Sequence, residues 1–284
     1  MYILFIPDSM SITPKLFLDY GGDCPMKKIT FLLCVALSAF VCLSACGTTK
    51  PAPVESSQVS SNPTPMVEGP MPVTPQEIEI HNNKIDESSI DLIQFRGADG
   101  DAKYATIKTS LGEIKAVLYA KEAPRAVENF IALAEKGYYN NTKFYEVLPN
   151  VRAAAGDPQG TGEGGESSFG SRFADEYSLN LWHFNGALAM DNRGLRDTND
   201  SKFYIIQNTM ISDELLQEMM AGGFPEKVIN RYVKYGGIPN YDFKDTVFGQ
   251  VVEGMDVVEK IANSPRSEEN VPTEDILIES IVIS

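Results

Sequence analysis

Alternating apolar and polar positions predict β-strands along the C-terminal part of the chain. Residues 104–110 and 113–119 alternate on either side of Leu111-Gly112, a pattern that predicts a β-hairpin. Short apolar runs predict further strands at 143–148, 184–190, 246–252 and 276–283. So many short strands favour a mainly β fold, and a closed antiparallel barrel rather than repeated βαβ units.

Two segments with helical periodicity are predicted to pack against these strands. Pro124 in a first turn and Gly137 after the last turn delimit one helix, whose buried stripe would be Val127, Phe130, Ile131 and Ala134. A second helix is predicted from Met255 to Ala262, with Met255, Val258 and Ile261 facing inward. Residues from about 207 to 238 read as an inserted pair of short helices, broken at Gly222-Gly223 and Pro225.

The N-terminal residues carry a targeting pattern. Lys27 and Lys28 precede an apolar run over 29–43 that is too short for a comfortable membrane span, and small residues then lead to Cys46. We interpret residues 26–45 as a bacterial lipoprotein signal peptide and Cys46 as the lipidated first residue of the mature protein. An ordinary secretory signal with an incidental cysteine is the alternative. Residues 1–25 are interpreted as a mistranslated leader, because the signal begins at Met26.

The segment after Cys46 predicts a membrane tether. Residues 46–75 are rich in Pro, Ser and Thr and lack hydrophobic periodicity, a composition typical of extended, solvated chain. Residues 76–102 hold scattered apolar residues and are expected to be a partly ordered lead-in to a domain over 103–284. The predicted location is the extracytoplasmic face of a bacterial cell membrane, with the protein held there by the lipid on Cys46. Since Cys46 would be the only cysteine left after cleavage, no disulfide within the chain is expected.

The charge of the chain excludes one class of partner. The formal net charge is −15, and residues 1–45 contain three Lys and three Asp, so the remainder keeps the whole −15. Nucleic-acid binding needs clustered Lys and Arg, and a strongly acidic domain argues against it. The acidity is read as a source of solubility and mutual repulsion, and we expect a monomer.

Residues 144–170 carry the most specific motif. They read FYEVLPNVRAAAGDPQGTGEGGESSFG, with six glycines from Gly156 to Gly170. This order resembles the signature of cyclophilin-type peptidyl-prolyl isomerases, in which Phe-His/Tyr-Arg-Val-Ile-Pro precedes Phe-Met-x-Gln-Gly-Gly-Asp-Pro and a glycine loop. Residues 190–206 are similar to a second family segment that ends in Gln-Phe-Phe-Ile. The resemblance covers about 103–284 and implies a closed eight-stranded antiparallel barrel capped by two helices.

The resemblance also implies a substrate groove, in which several residues have changed. The matching positions are Glu146, Val151, Arg152, Ala154, Asn192, Phe203, Tyr204, Asn240, Tyr241 and Asp245. Glu146 stands where the family has its catalytic Arg, and an ionised Glu accepts hydrogen bonds but cannot donate them. Val151-Arg152 replaces the family's Phe-Met. Two roles are open for Arg152: it replaces the missing donor, or it pairs with Glu146 and fills the groove.

Two functional hypotheses follow from these residues. The first is an envelope peptidyl-prolyl isomerase of weak activity, acting without cofactor or metal on proline-containing peptides or unfolded secreted proteins. The second is a non-catalytic peptide- or protein-binding module on the same scaffold. His183, between Trp182 and Phe184, is interpreted as a structural residue rather than a base. The mature domain shows no nucleophile triad or metal-ligand pattern in its sequence.

The lipidation hypothesis predicts the behaviour of a Cys46→Ala variant. Without the thiol no thioether to a lipid forms, so the variant is expected to leave the membrane fraction or to remain unprocessed. Membrane fractionation with and without globomycin measures this. Membrane association that is unchanged in Cys46→Ala and insensitive to globomycin would contradict the hypothesis.

Overall fold

A computed structural model describes residues 74–96 and 100–284 of the chain. The leader, signal peptide, Cys46 and most of the tether predicted above lie outside these described residues. Within residues 74–96 and 100–284, no helix is both long enough and apolar enough to cross a membrane.

One antiparallel sheet of nine strands dominates the described residues. The strands are β1 (Lys103–Thr109), β2 (Gly112–Leu118), β3 (Thr142–Lys143), β4 (Glu146–Leu148), β5 (Arg152–Ala155), β6 (Ala187–Met190), β7 (Phe203–Ile206), β8 (Val247–Glu253) and β9 (Leu277–Ile283). Their order across the sheet is β3-β9-β1-β2-β8-β6-β7-β5-β4. The predicted hairpin at Leu111-Gly112 is confirmed, because β1 pairs with β2 up to Thr109 opposite Gly112.

The sheet curls, and its two end strands β3 and β4 follow one another in the chain. Only Phe144 and Tyr145 separate them. Phe144 donates its N–H to Ile276 O beside β9 at 3.0 Å, whereas Tyr145 donates to Ala154 O in β5 at 3.0 Å. The predicted closed barrel of eight strands is not confirmed: the described residues form a curled sheet of nine, because the strand expected over 143–148 bends at Phe144-Tyr145 and becomes two.

Five α-helices accompany the sheet in the described part of the chain. They are α1 (Pro75–Asn82), α2 (Pro124–Glu135), α3 (Asp213–Ala221), α4 (Glu226–Tyr235) and α5 (Met255–Ala262). Helix α2 confirms its predicted stripe, with Val127, Phe130 and Ala134 buried and Ile131 half-buried. In α5, Val258 and Ile261 are buried and Met255 packs partly against the core. Helices α3 and α4 confirm the predicted pair of short helices, interrupted at Gly222-Gly223 and Pro225.

Strand β7 separates the main core from the surface of interest. Phe203 and Ile205 belong to the largest apolar cluster, together with side chains of α2 and α5. Phe130 of α2 meets Phe203 edge to face, with ring centroids 5.4 Å apart. Tyr204 and Ile206 belong to a different cluster. Because successive side chains of a strand point to opposite faces, β7 supports the core with one face and the candidate site with the other.

The described part of the lead-in before β1, residues 74–96, packs on the sheet. Thr74 begins α1 by a capping box with Glu77: the N–H of Glu77 donates to Thr74 Oγ1 at 3.2 Å. Further along, the buried side chain of Gln94 donates to Trp182 O at 2.9 Å and to Gln250 Oε1 at 2.8 Å, and accepts from the N–H of Trp182 at 2.8 Å. These bonds attach the lead-in to the segment before β6 and to β8.

The Gln94 contacts predict that the lead-in stabilises the domain. Gln94→Ala leaves the Trp182 backbone and the Gln250 amide without their buried partner, at a cost of about 1–3 kcal/mol in the free energy of unfolding. Urea unfolding monitored by Trp182 fluorescence measures this, with Gln76→Ala, exposed in the same lead-in, as the matched control. Equal stability of the two variants would contradict the packing role.

Candidate functional site

The strand register brings several predicted site positions onto one face of the sheet. Glu146 of β4 lies opposite Ala154 of β5, and Ala154 lies opposite Tyr204 of β7. Residues directly opposite share a face, and Arg152, two residues before Ala154, shares it as well. The methyl group of Ala154 is short, so the space between Glu146 and Tyr204 is open to the long side chain of Arg152.

The guanidinium of Arg152 occupies the centre of this face. Its Nε and Nη2 donate to Glu146 Oε2 at 2.8 and 2.7 Å. Its Cζ lies 4.9 Å from the ring centre of Tyr204 and 5.7 Å from that of Tyr241. The side chains of Arg152 and Glu146 are only 13% and 19% exposed. The cation is therefore held by one carboxylate and by the faces of two aromatic rings.

Two further carboxylates, Asp191 and Asp245, each accept a hydrogen bond from a tyrosine of the site. Tyr145 donates its O–H to Asp191 Oδ2 at 2.6 Å, and Tyr204 donates to Asp245 Oδ2 at 2.6 Å. Asp191 Oδ1 lies 3.8 Å from Arg152 Nη1, beyond hydrogen-bond distance. The site thus places Glu146 and Asp191 beside the guanidinium, and Asp245 is linked to it through Tyr204.

Burial and neighbouring charge set the protonation of these groups. Burial raises the pKa of Tyr204, and the nearby Asp245 raises it further, so the phenol stays a neutral donor. Burial also raises the pKa of Asp245, against the opposing effects of His183 and the Tyr204 hydroxyl. Burial lowers the pKa of Arg152, but Asp191 and Glu146 more than reverse this, and the guanidinium keeps its charge.

His183 lies behind the tyrosines rather than on the surface. Its Nδ1 and its backbone N–H each lie 2.9 Å from Asp242 Oδ1, and Tyr232 donates its O–H to Asp242 Oδ2 at 2.7 Å. The imidazole stacks on Tyr204 with ring centroids 6.2 Å apart. These contacts agree with the structural role predicted for His183, because the side chain is buried and supports the floor of the site.

Other predicted positions lie away from Arg152. Phe203 points into the core. Asn240 is exposed on the far side of the loop that carries Tyr241. The buried Asn192 donates to Lys244 O at 3.0 Å and to Asp175 Oδ1 at 3.2 Å, and thereby joins two loops. Val151 is half-buried at the start of β5.

Asp157 organises the glycine-rich loop beside the site. Its Oδ1 accepts the N–H of Gln159 at 2.8 Å, and its Oδ2 accepts the N–H groups of Thr161, Gly162 and Gly164 at 3.0, 2.8 and 3.2 Å. Burial raises the pKa of Asp157, but these backbone donors lower it more, to a net value below the usual one. Gly162 has φ +80°, and a Cβ there would lie 3.1 Å from the Tyr145 ring, which fits glycine alone.

Asp191 and Tyr145 are site residues that the sequence reading missed. Asp191 directly follows the apolar run 184–190. A charged residue at the end of a buried strand is the sequence feature that could have marked it as a site residue. Nothing in the sequence pairs it with Tyr145, which lies 46 positions away. In the described residues, no group of three or more His, Cys, Asp or Glu side chains is arranged to hold a metal ion.

A comparison with protein families matches the described domain. The family model for "Cyclophilin type peptidyl-prolyl cis-trans isomerase/CLD" matches residues 104–283. A Staphylococcus saprophyticus protein named as a peptidyl-prolyl cis-trans isomerase is 41% identical over 175 residues, which are 62% of this chain and 88% of the relative. Its Staphylococcus aureus counterpart is 40% identical over 173 residues, 61% of this chain and 87% of the relative.

Solved structures give the same likeness. A crystal structure of a Cryptosporidium parvum cyclophilin-type peptidyl-prolyl cis-trans isomerase has a TM-score of 0.53 at 29% identity, and the match covers 64% of this chain and 98% of that one. A second structure of the parasite protein, obtained in the presence of the dipeptide ala-pro, has a TM-score of 0.52 at 29% identity. The matched lengths are those of a whole domain.

The hydrogen bonds of Asp157 predict a pH-dependent contribution to stability. In Asp157→Asn an amide nitrogen that cannot accept replaces one acceptor oxygen, and the expected loss is about 1.5–3 kcal/mol in the free energy of unfolding at pH 7. The folded pKa is depressed, so the wild-type advantage exists above the unfolded pKa of about 3.9 and disappears as pH falls through the folded pKa. Urea unfolding at pH 7 and pH 3 measures both effects, with the exposed Asp101→Asn as control. A deficit that is independent of pH would contradict this account.

Proposed function

Because the chain belongs to the cyclophilin-type peptidyl-prolyl cis-trans isomerases, we propose that it is a membrane-anchored, extracytoplasmic isomerase of low intrinsic activity. Its substrates are proline-containing peptides or unfolded secreted proteins, and it acts as a monomer. The observation that carries the proposal is the ion pair of Glu146 with Arg152 on the faces of Tyr204 and Tyr241.

Prolyl isomerisation requires rotation about a partial double bond. The barrier is about 18–20 kcal/mol, and amide resonance is lost in the twisted transition state, where the nitrogen regains its lone pair. A catalyst needs an apolar cup for the proline ring and a cationic donor beside the amide, both fitted to the twisted state. Neither a nucleophile nor a bound cofactor takes part in that rotation.

The ion pair explains why turnover is slow. Glu146 occupies the position from which the family's Arg donates, and it engages two of the donor nitrogens of Arg152. Val151 stands where the family motif has a Phe, so the wall of the proline cup is also weakened. A charge-assisted hydrogen bond contributes about 1.5–3 kcal/mol, and its loss corresponds to a roughly 10–200-fold lower rate.

Arg152 also supplies the reason why activity is not lost altogether. Its Nη1 faces Asp191 at 3.8 Å, a distance that leaves this nitrogen able to donate to a substrate carbonyl or to the amide nitrogen. Tyr241, half-buried beside Arg152, offers flat apolar surface on which a proline ring packs, whereas the ring of Tyr204 is buried beneath the guanidinium. We propose that Arg152 is the relocated donor, acting from β5 rather than from β4.

The family supports two finer points. The Cryptosporidium neighbour was crystallised in the presence of the dipeptide ala-pro, which supports the proposal that a prolyl peptide is the ligand of this chain. We further propose that β3 and β4 act as one bent strand, so that the curled sheet is the eight-stranded barrel of the family. The proposed location rests on the signal pattern before Cys46: the lipid on this residue would hold the domain at the extracytoplasmic face of a bacterial membrane.

A non-catalytic binding module is the second candidate function. The observation that favours it is the low exposure of Arg152, which fills the position of a family Met in the cup. A filled cup would keep the surrounding surface for peptide binding while it excludes the proline ring. The two functions differ in their response to emptying the cup.

Exchanging the charged pair tests the proposed function. We expect the wild-type protein to isomerise a standard Xaa-Pro peptide slowly, and Arg152→Ala to remove most of that rate. The double variant Glu146→Arg/Arg152→Met places the donor on β4 and an apolar side chain in the cup, and its rate should be higher than wild type by roughly tenfold or more. A protease-coupled assay or exchange NMR measures these rates on the purified protein.

The control exchanges an ion pair outside the site. Lys108→Met/Glu113→Arg alters the exposed pair of the β1–β2 hairpin and should leave the rate unchanged. A wild-type rate equal to that of a cyclophilin with an intact site would contradict weak activity. Peptide binding without isomerisation in wild type, and without gain in the double variant, would establish the binding module instead.

A further inference from the structure

A second cleft lies next to the prolyl groove, on the opposite side of the loop 239–245. Its volume is about 590 Å³. Its apolar lining comes from Ile78, Leu215, Met219, Phe224, Pro239 and Phe243. The walls are therefore the lead-in helix α1, the inserted helix α3 and the loop that carries Tyr241. Helix α1 lies before the family-matched residues 104–283, so one wall of this cleft is an addition to the shared domain.

Specific bonds hold the cleft open before any ligand arrives. Asn82 at the end of α1 donates to Gly222 O after α3 at 2.8 Å, which joins two walls. The N–H of Lys227 in α4 donates to Glu87 Oε1 in the lead-in at 2.6 Å. The floor residue Phe243 meets the buried Trp182 edge to face, with centroids 5.3 Å apart. A preformed pocket needs no ordering on binding, so burial of apolar surface there contributes more fully to affinity.

A single loop, 239–245, separates the cleft from the proposed prolyl groove. Tyr241 faces Arg152 in the groove, whereas its neighbours Asn240 and Asp242 line the cleft. Consecutive Cα atoms are about 3.8 Å apart, and an extended peptide advances about 3.3 Å per residue. A peptide whose proline sits over the half-buried Tyr241 therefore needs only a few residues to pass the loop and enter the cleft.

The charges at the rim of the cleft favour a ligand that carries a basic residue. Glu79 and Glu218 are exposed at the rim, with Lys244 as a cation beside them. The carboxylate of Asp242 contacts His183 and accepts a hydrogen bond from the Tyr232 hydroxyl, so we do not count it among the charges of the rim. The rim thus carries net negative charge on a chain of net charge −15, which attracts Lys or Arg on an incoming peptide.

We propose that the cleft binds an apolar side chain, flanked by Lys or Arg, of the same extended client whose proline enters the groove. The proposal rests on the proposed function, because the groove defines where the proline lies. Such an anchor compensates for the weakened cup: the client is held by a neighbouring apolar residue while the slow isomerisation proceeds. It also selects clients that carry an apolar-basic segment close to an Xaa-Pro bond.

Peptides of two lengths test the proposal on the mature full-length protein in detergent. The short probe is acetyl-Ala-Ala-Pro-Ala-amide, and the long probes carry Gly-Leu-Met-Arg before or after that core. One long probe should bind at least roughly tenfold more tightly than the short one by isothermal titration calorimetry, equal to about 1.4 kcal/mol, as expected from burying one apolar side chain. Leu215→Glu should remove this advantage. Met220→Glu, at an exposed position on the same helix α3, should keep it.

Three results would overturn the proposal. The first is equal affinity of the protein for the short and the long probes. The second is tighter binding of a long probe that persists in Leu215→Glu. The third is a loss of that tighter binding in Met220→Glu as large as the loss in Leu215→Glu. A synthetic peptide of residues 62–73 that displaces the long probe would assign the cleft to the chain's own tether instead of a client. Failure of the proposed function gives a different result: the long probe still binds through Leu215, but no variant of Glu146 and Arg152 isomerises it.

Discussion

The guanidinium of Arg152 imposes the main physical constraint on this site. Moving a charge out of water costs several kcal/mol unless a partner compensates, and the Arg152 side chain is only 13% exposed. Glu146 meets that need from the adjacent strand, and the faces of Tyr204 and Tyr241 complete the enclosure. The two residues depend on each other, because removing either one leaves a poorly solvated charge behind.

This dependence changes the meaning of the altered motif. Read one position at a time, Glu at 146 is a lost donor and Arg at 152 is a lost apolar contact. In the folded protein the two changes form one exchange, in which positive charge moves from β4 to β5 and negative charge takes its place. A donor therefore remains in the site, although a carboxylate competes for it. In the function proposed above, the competition between Glu146 and a substrate for the donors of Arg152 limits the rate.

The same architecture connects the site to surfaces on either side. Strand β7 joins the groove to the core, since Tyr204 and Phe203 are neighbours that point to opposite faces. The loop 239–245 joins the groove to the second cleft in the same way, with Tyr241 on one side and Asn240 on the other. Strand β7 and the loop 239–245 each have side chains packed on both faces, and packing on one face restrains the side chains of the other.

The sequence by itself determined the elements whose information is local. The hairpin at Leu111-Gly112, the buried stripe of α2 and the breaks around α3 and α4 follow from periodicity and turn residues within about ten positions. The order of the motifs was likewise enough to identify the family resemblance from the sequence.

Only the tertiary structure decided which side chains meet: Tyr145 with Asp191, Gln94 with Trp182, and Arg152 with Glu146 rather than with open solvent. The tertiary structure also decided that the strand bends at Phe144-Tyr145. It decided as well that Tyr241 lies beside Arg152, whereas its neighbour Asn240 lines the second cleft. Those outcomes depend on register and on the direction of side chains brought together from distant segments, and no local pattern encodes them.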